Sequence, residues 1–111
     1  MAKTKKSLQY SSEQASINDL IVFSLYSVVS KGEECDFERL IKECFSLFPG
    51  DFGFYKYPQW PDSRKLDRPL RLLREHKLIK GEPGTFFSLT KEGKVLAEDL
   101  AKVFKQKRLF K

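Results

Sequence analysis

The chain has 111 residues and a formal net charge of +6, with 41% hydrophobic and 32% charged residues. That length suits one domain with a modest core, and the mixed charge argues against disorder. No apolar run approaches membrane-spanning length, and the basic start MAKTKKSLQYSS has no signal-type hydrophobic stretch directly after it, so a cytoplasmic protein is expected. Charge is unevenly placed: residues 13–62 hold nine acidic and four basic residues, residues 63–111 six acidic and fourteen basic. This asymmetry fits either one face for an anionic partner or a solvated basic surface.

In chain order, residues 1–15 read as a flexible basic tail. Ser16 then has the character of a helix N-cap, with Asp19 three residues on. Ile17, Leu20, Ile21, Leu25, Val28 and Val29 follow at helical spacing, with Gly32 placed to stop the helix. Val22, Phe23 and Tyr26 widen the apolar face, so this helix is expected to be well buried. A second helix starts with Asp36 as N-cap and buries Phe37, Leu40, Ile41, Cys44, Phe45 and Phe48, with Pro49-Gly50 ending it. Cys35 and Cys44 are the only cysteines and read as reduced thiols, Cys44 as a small core hydrophobe. His76 is the single histidine, so a zinc site would need carboxylates, and no ligand spacing suggests one.

The stretch GDFGFYKYPQW, residues 50–60, cannot be a regular helix and has to pack through its own rings. Phe52, Phe54, Tyr57 and Trp60 are expected to cap the core rather than form an aromatic ligand platform. A helix is predicted from about Asp62 to His76, with Leu66, Leu70 and Leu73 on one face and Pro69 beside them. Arg64, Arg68, Arg71 and Glu75 fall on the opposite face. Asp67 and Arg74 form one flank; Lys65, Leu72 and His76 form the other. Spanning Pro69 removes a backbone bond to the Lys65 carbonyl, so the first half of this helix is expected to be distorted. Like-charged arginines three and four apart repel, and a polyanion would turn that repulsion into attraction.

Leu78–Lys80 and Thr85–Leu89 read as a hairpin with a Gly81–Gly84 turn. Phe87 and Leu89 are predicted on one side of it, Phe86 and Ser88 on the other. Thr90 is the predicted N-cap of a last helix carrying Val95, Leu96, Leu100, Val103 and Phe104 on its apolar side. A basic tail, residues 105–111, follows. A small domain cannot easily cover all these residues together with Leu109 and Phe110, so a homodimer through the C-terminal helix is expected.

The order helix, helix, helix, hairpin, helix and the run LREHKLIKGEPGTFFSLTKEG resemble the winged helix-turn-helix superfamily over residues 16–104. The eleven-residue connection before the third helix departs from the short turn of a standard helix-turn-helix. The resemblance implies an α+β, mostly helical fold: a three-helix bundle with a short two-stranded β-wing and an added C-terminal helix. It implies a transcriptional regulator, or the DNA-binding module of a larger protein, reading duplex DNA with the 62–76 helix in the major groove. The implied contacts are Ser63, Arg64, Lys65, Arg68, Arg71 and Lys80, with Arg68 central. Glu82 at the wing tip has the wrong sign for phosphate. The alternative is a protein-docking winged helix that uses the aromatic 50–60 segment and the acidic half. An enzyme is not expected, because His76 lacks a serine or cysteine partner motif and no glycine-rich phosphate loop is present. No cofactor, metal, membrane or small-molecule ligand is implied.

Overall fold

A computed structural model describes the backbone of residues 16–109 and the side chains of residues 16–104. The tails read from the sequence, 1–15 and 105–111, lie outside the fully described residues. The helices are α1 (Ile17–Val29), α2 (Phe37–Leu47), a single turn α3 (Pro49–Phe52), α4 (Arg64–Glu75) and α5 (Lys91–Leu109). Strands β1 (Ile79–Lys80) and β2 (Ser88–Leu89) pair antiparallel, Ile79 with Leu89 and Lys80 with Ser88. The class is α+β and mostly helical. Among the described residues no helix is long and apolar enough to cross a membrane.

The first helix begins where the Ser16 hydroxyl accepts the Asp19 N–H at 3.1 Å, as the cap predicts. It buries Leu20, Ile21, Val22, Ser24, Leu25 and Val28, more than one face of a helix. The reason is its position: α2, α4, α5 and β2 all pack against it. The buried Ser24 hydroxyl is satisfied by donating to the Leu20 carbonyl at 2.8 Å. Gly32, with φ +82°, turns the chain after the helix.

Asp36 caps α2 by accepting the Arg39 N–H at 2.8 Å. Leu40 and Cys44 are buried, and Phe37, Ile41, Phe45 and Phe48 lie partly buried against the core. Phe48 meets Phe23 and Phe104 at ring-centroid distances of 6.2 and 5.6 Å, joining α2, α1 and α5 in one aromatic cluster. Pro49-Gly50 does not simply end the helix as expected. The chain breaks at Phe48, and Pro49 opens α3 at a first-turn position, where its missing N–H costs nothing.

An unforeseen ionic cluster ties α1 to α2. Glu43 is buried with its carboxylate held by the Ser27 hydroxyl at 2.5 Å, Arg39 at 2.8 Å and Lys31 at 3.4 Å. Arg39 also reaches Glu33 at 2.9 Å. Burial raises the Glu43 pKa, but the Ser27 hydroxyl, Arg39 and Lys31 together outweigh it and leave the carboxyl below its ordinary value. Both cysteines are free and buried, and burial pushes each thiol up to about 12. They are therefore inert at neutral pH.

The fourth helix spans Pro69 as predicted but is shorter at both ends than residues 62–76. Its entry is tight: the Lys65 and Leu66 N–H groups bond the Asp62 and Ser63 carbonyls, three residues back, at 3.1 Å. Leu66, Leu70 and Leu73 are buried, with Pro69 half-buried beside them. The helix ends when Leu78 N–H bonds the Leu73 carbonyl and Lys77 N–H bonds that of Arg74. This closure puts Lys77 in the left-handed region, φ +61°, where glycine is usual. Lys77→Gly is therefore expected to raise stability by about 0.5–1 kcal/mol, measured by chemical denaturation.

In the hairpin Phe87 is buried and Leu89 half-buried, while Phe86 and Ser88 are exposed, as the strand alternation requires. The tight turn sits at Glu82–Thr85, one residue later than predicted, closed by Thr85 N–H to the Glu82 carbonyl at 2.9 Å. Cys35 adds a single antiparallel bridge to Phe87, a pairing the sequence reading lacked. Thr90 caps α5: its hydroxyl accepts the Gly93 N–H at 3.0 Å and donates to the Lys77 carbonyl at 2.7 Å. Ala97, Leu100 and Phe104 are buried, and Leu96 and Val103 are half-buried. Val95, predicted on the apolar side, is 55% exposed. It lies five residues from Leu100, about 140° round the helix, and Ala97 takes the inward place instead. Leu100 and Phe104, which supported a dimer through this helix, are covered within the chain itself.

Candidate nucleic-acid interface

Three buried leucines fix which way α4 faces, and the opposite side is presented to solvent. Arg68 and Arg71 stand one turn apart on that side. Arg68 makes no hydrogen bond or ion pair among the described residues. Arg71 has a long exposed contact to Asp67, 3.3 Å, of the kind worth little in water. On the flank, Arg74 is half-buried, and its buried Nη1 lacks a hydrogen-bond partner among the described residues. Lys80 is exposed on β1 and Ser63 is exposed before the helix; the Ser63 side chain makes no cap bond.

Arg64 and Lys65 sit differently. The Arg64 guanidinium donates to both carboxylate oxygens of Asp62, at 2.8 and 3.0 Å. It also lies over the Phe54 ring, 5.3 Å from its centroid. Asp62 is buried, and its Oδ1 also accepts the Arg64 N–H at 3.1 Å, so Asp62 does the capping that Ser63 does not. The arginine beside it holds the Asp62 carboxyl below its usual value. Lys65 donates to the carbonyls of Asp51 and Gly53 at 3.0 and 3.1 Å. Of the six implied contacts, Lys65 is half-buried and turned to the preceding loop; the other five are exposed, Arg64 by 78% although it is paired with Asp62. The Asp62-x-Arg64 spacing at a helix start was the available signal for that latch.

The anchored loop differs most from expectation. Phe52 is buried and Phe54 half-buried, so these two do reach the core. Tyr57 and Trp60, also expected to cap it, are 55% and 57% exposed, and Tyr55 is 95% exposed. Tyr57 and Trp60 stack on each other instead, with centroids 5.7 Å apart and planes 26° from parallel. Backbone bonds close the loop: Phe54 N–H to the Trp60 carbonyl, Trp60 N–H to the Tyr57 carbonyl, and a Gly53–Pro61 bridge. Gly53 permits the close approach, since a Cβ there would lie 2.6 Å from the Pro58 carbonyl oxygen.

Elsewhere, an open depression of about 490 Å³ lies between the start of α2 and the hairpin turn, lined by Asp36, Phe37, Glu38, Pro83 and Phe86 among others. Among the described residues no group of three or more histidine, cysteine, aspartate or glutamate side chains is placed to hold a metal ion. No protein-family model, curated protein or solved structure matches this chain.

Proposed function

We propose that this chain is a winged-helix domain that binds duplex DNA by laying the outward face of α4 in the major groove. In this reading α1, α2 and α4 are the bundle, residues 79–89 the wing and α5 the added helix. One observation carries it: Arg68 and Arg71 project from a helix whose other face is buried, and among the described residues Arg68 has no side-chain partner to neutralise it. A row of poorly compensated arginines on a fixed helix is suited to phosphates and to the acceptor edge of guanine. The antiparallel hairpin and the Cys35–Phe87 bridge support the fold part of this reading. In this reading the exposed Lys80, Ser63 and Arg64 contact phosphates, and Lys65, bonded to the Asp51 and Gly53 carbonyls, supports the helix entry.

A second reading, a protein-docking winged helix, is favoured by the depression beside α2, whose wall combines Asp36 and Glu38 with exposed Phe86. Duplex titration at several salt concentrations separates the two. The Arg68→Ala/Arg71→Ala variant is expected to bind duplex at least about tenfold more weakly. Its salt slope should fall by about 1 for each arginine that meets a phosphate. A folded variant with the parent's affinity and salt slope would assign α4 to some other surface.

A further inference from the structure

We infer that the Tyr55–Trp60 loop is a stacking platform for an unpaired nucleobase, so that the favoured ligand is DNA with a single-stranded end or junction rather than a plain duplex. This deepens the duplex reading and rests on it for the placement of the flanking strand. Large aromatics normally bury, yet Tyr55, Tyr57 and Trp60 remain outside a core that already takes Phe52. Tyr57 and Trp60 are not loosely displayed, and Tyr55 stands on the same closed loop. The loop is closed by its own backbone bonds and pinned to the first turn of α4 by Lys65 and Arg64. Tyr57 and Trp60 are already mutually stacked, so little side-chain freedom remains to be lost when a further flat ring adds to them.

Charge selects the kind of ring. Residues 52–61 contain one cation, Lys56, and no acid. Of the two bordering acids, Asp62 is buried and paired with Arg64, and Asp51 is half-buried and not without a partner. An aromatic surface for a cationic ligand would call for a free carboxylate close by. Exposed rings in a loop that carries a lysine and is held next to Arg64 suit instead a flat base with a phosphate attached. Only a base with a free face can stack there, because in a continuous duplex both faces are covered by neighbours. The loop is fastened to the first turn of α4 through Lys65, so in the duplex reading a strand end on the platform lies next to the helix entry.

Trp60 is the sole tryptophan, so its fluorescence reports on the platform directly. The full chain is titrated with a short thymidine oligonucleotide, an abasic strand of equal length, a blunt duplex and the same duplex with a single-stranded overhang. The base-bearing strand and the overhang duplex should quench Trp60, and the abasic strand should not. By anisotropy of a labelled overhang duplex, Tyr55→Ala and Trp60→Ala should each weaken binding about ten- to a hundredfold while leaving the blunt duplex within about twofold. Tyr55→Ala guards against misfolding, since that side chain is almost wholly in solvent. Arg68→Ala/Arg71→Ala should lose the blunt duplex but keep the quench by the single strand, so the platform and the duplex reading fail separately. Equal behaviour of base-bearing and abasic strands overturns the inference. So does absence of quenching by every nucleic acid, which would leave the loop as a protein-docking surface.

Discussion

Replacing Gly93 with alanine is expected to destabilise the domain by about 3 kcal/mol, although alanine is the better helix former. Gly93 lies in the first turn of α5, where the helix presses on the chain entering β1. A Cβ at this position would lie 1.9 Å from the Leu78 carbonyl oxygen, 2.9 Å from its carbon and 3.3 Å from a Leu89 methyl. The obstacle is backbone, which cannot swing aside as a side chain can. The same Leu78 carbonyl accepts the Thr90 N–H at 3.1 Å, and Thr90 bonds both Gly93 and Lys77. Any shift that admits the methyl therefore strains the cap of α5, the exit of α4 and the start of the hairpin together. Thermal melting should show a drop of more than about 10 °C. Gly50→Ala, at a site with nothing within 4 Å, serves as the near-neutral control. A Gly93→Ala protein as stable as its parent would show that the α5–β1 contact is looser than described.

Glu43→Ala is expected to cost about 2–3 kcal/mol. Removing one partner of a buried ion pair leaves the others without compensation, a loss of several kcal/mol when all are buried; here Arg39 and Lys31 retain access to water, so the figure is lowered. The effect should also depend on pH. The folded-state pKa of Glu43 is depressed, so ionised Glu43 contributes its stability above the ordinary carboxylate pKa, and that contribution is lost as pH falls through the folded value. Parent and Glu43→Ala stabilities should therefore converge on acidification below the ordinary carboxylate range. Urea titrations at neutral and acidic pH measure both quantities. A gap that stays constant across that range would mean that packing of the Glu43 stem, not its charge, joins α1 to α2.

The duplex and platform readings share one structural cause, the latch at the entry of α4. Arg64 is paired with Asp62 while largely exposed, and Lys65 is engaged by the loop carbonyls, so Arg68 is the first cation of α4 without a side-chain partner among the described residues. A variant that weakens this latch would disturb the aromatic loop and the helix entry together, which is why neither proposed test substitutes Arg64.

Much of the fold was legible in the sequence, because local chemistry determines it. Ser16, Asp36 and Thr90 cap helices wherever an apolar helical stripe follows, and the period of Leu66, Leu70 and Leu73 decides which face of α4 is outward, and with it the exposure of Arg68 and Arg71. The alternation Phe86, Phe87, Ser88, Leu89 likewise settles the inner side of the hairpin. Tertiary structure alone decided the rest, since it depends on residues distant in sequence. Whether Tyr57 and Trp60 cap the core turns on whether Phe52 has already filled it. Whether Glu43 is buried turns on Ser27 and Lys31 reaching it from α1 and the turn after it. The bonding of Lys65 and the seat of Arg64 over Phe54 turn on where residues 51–54 come to lie beside α4. The need for glycine at position 93 appears only when α5 meets Leu78, a contact that no helix pattern encodes.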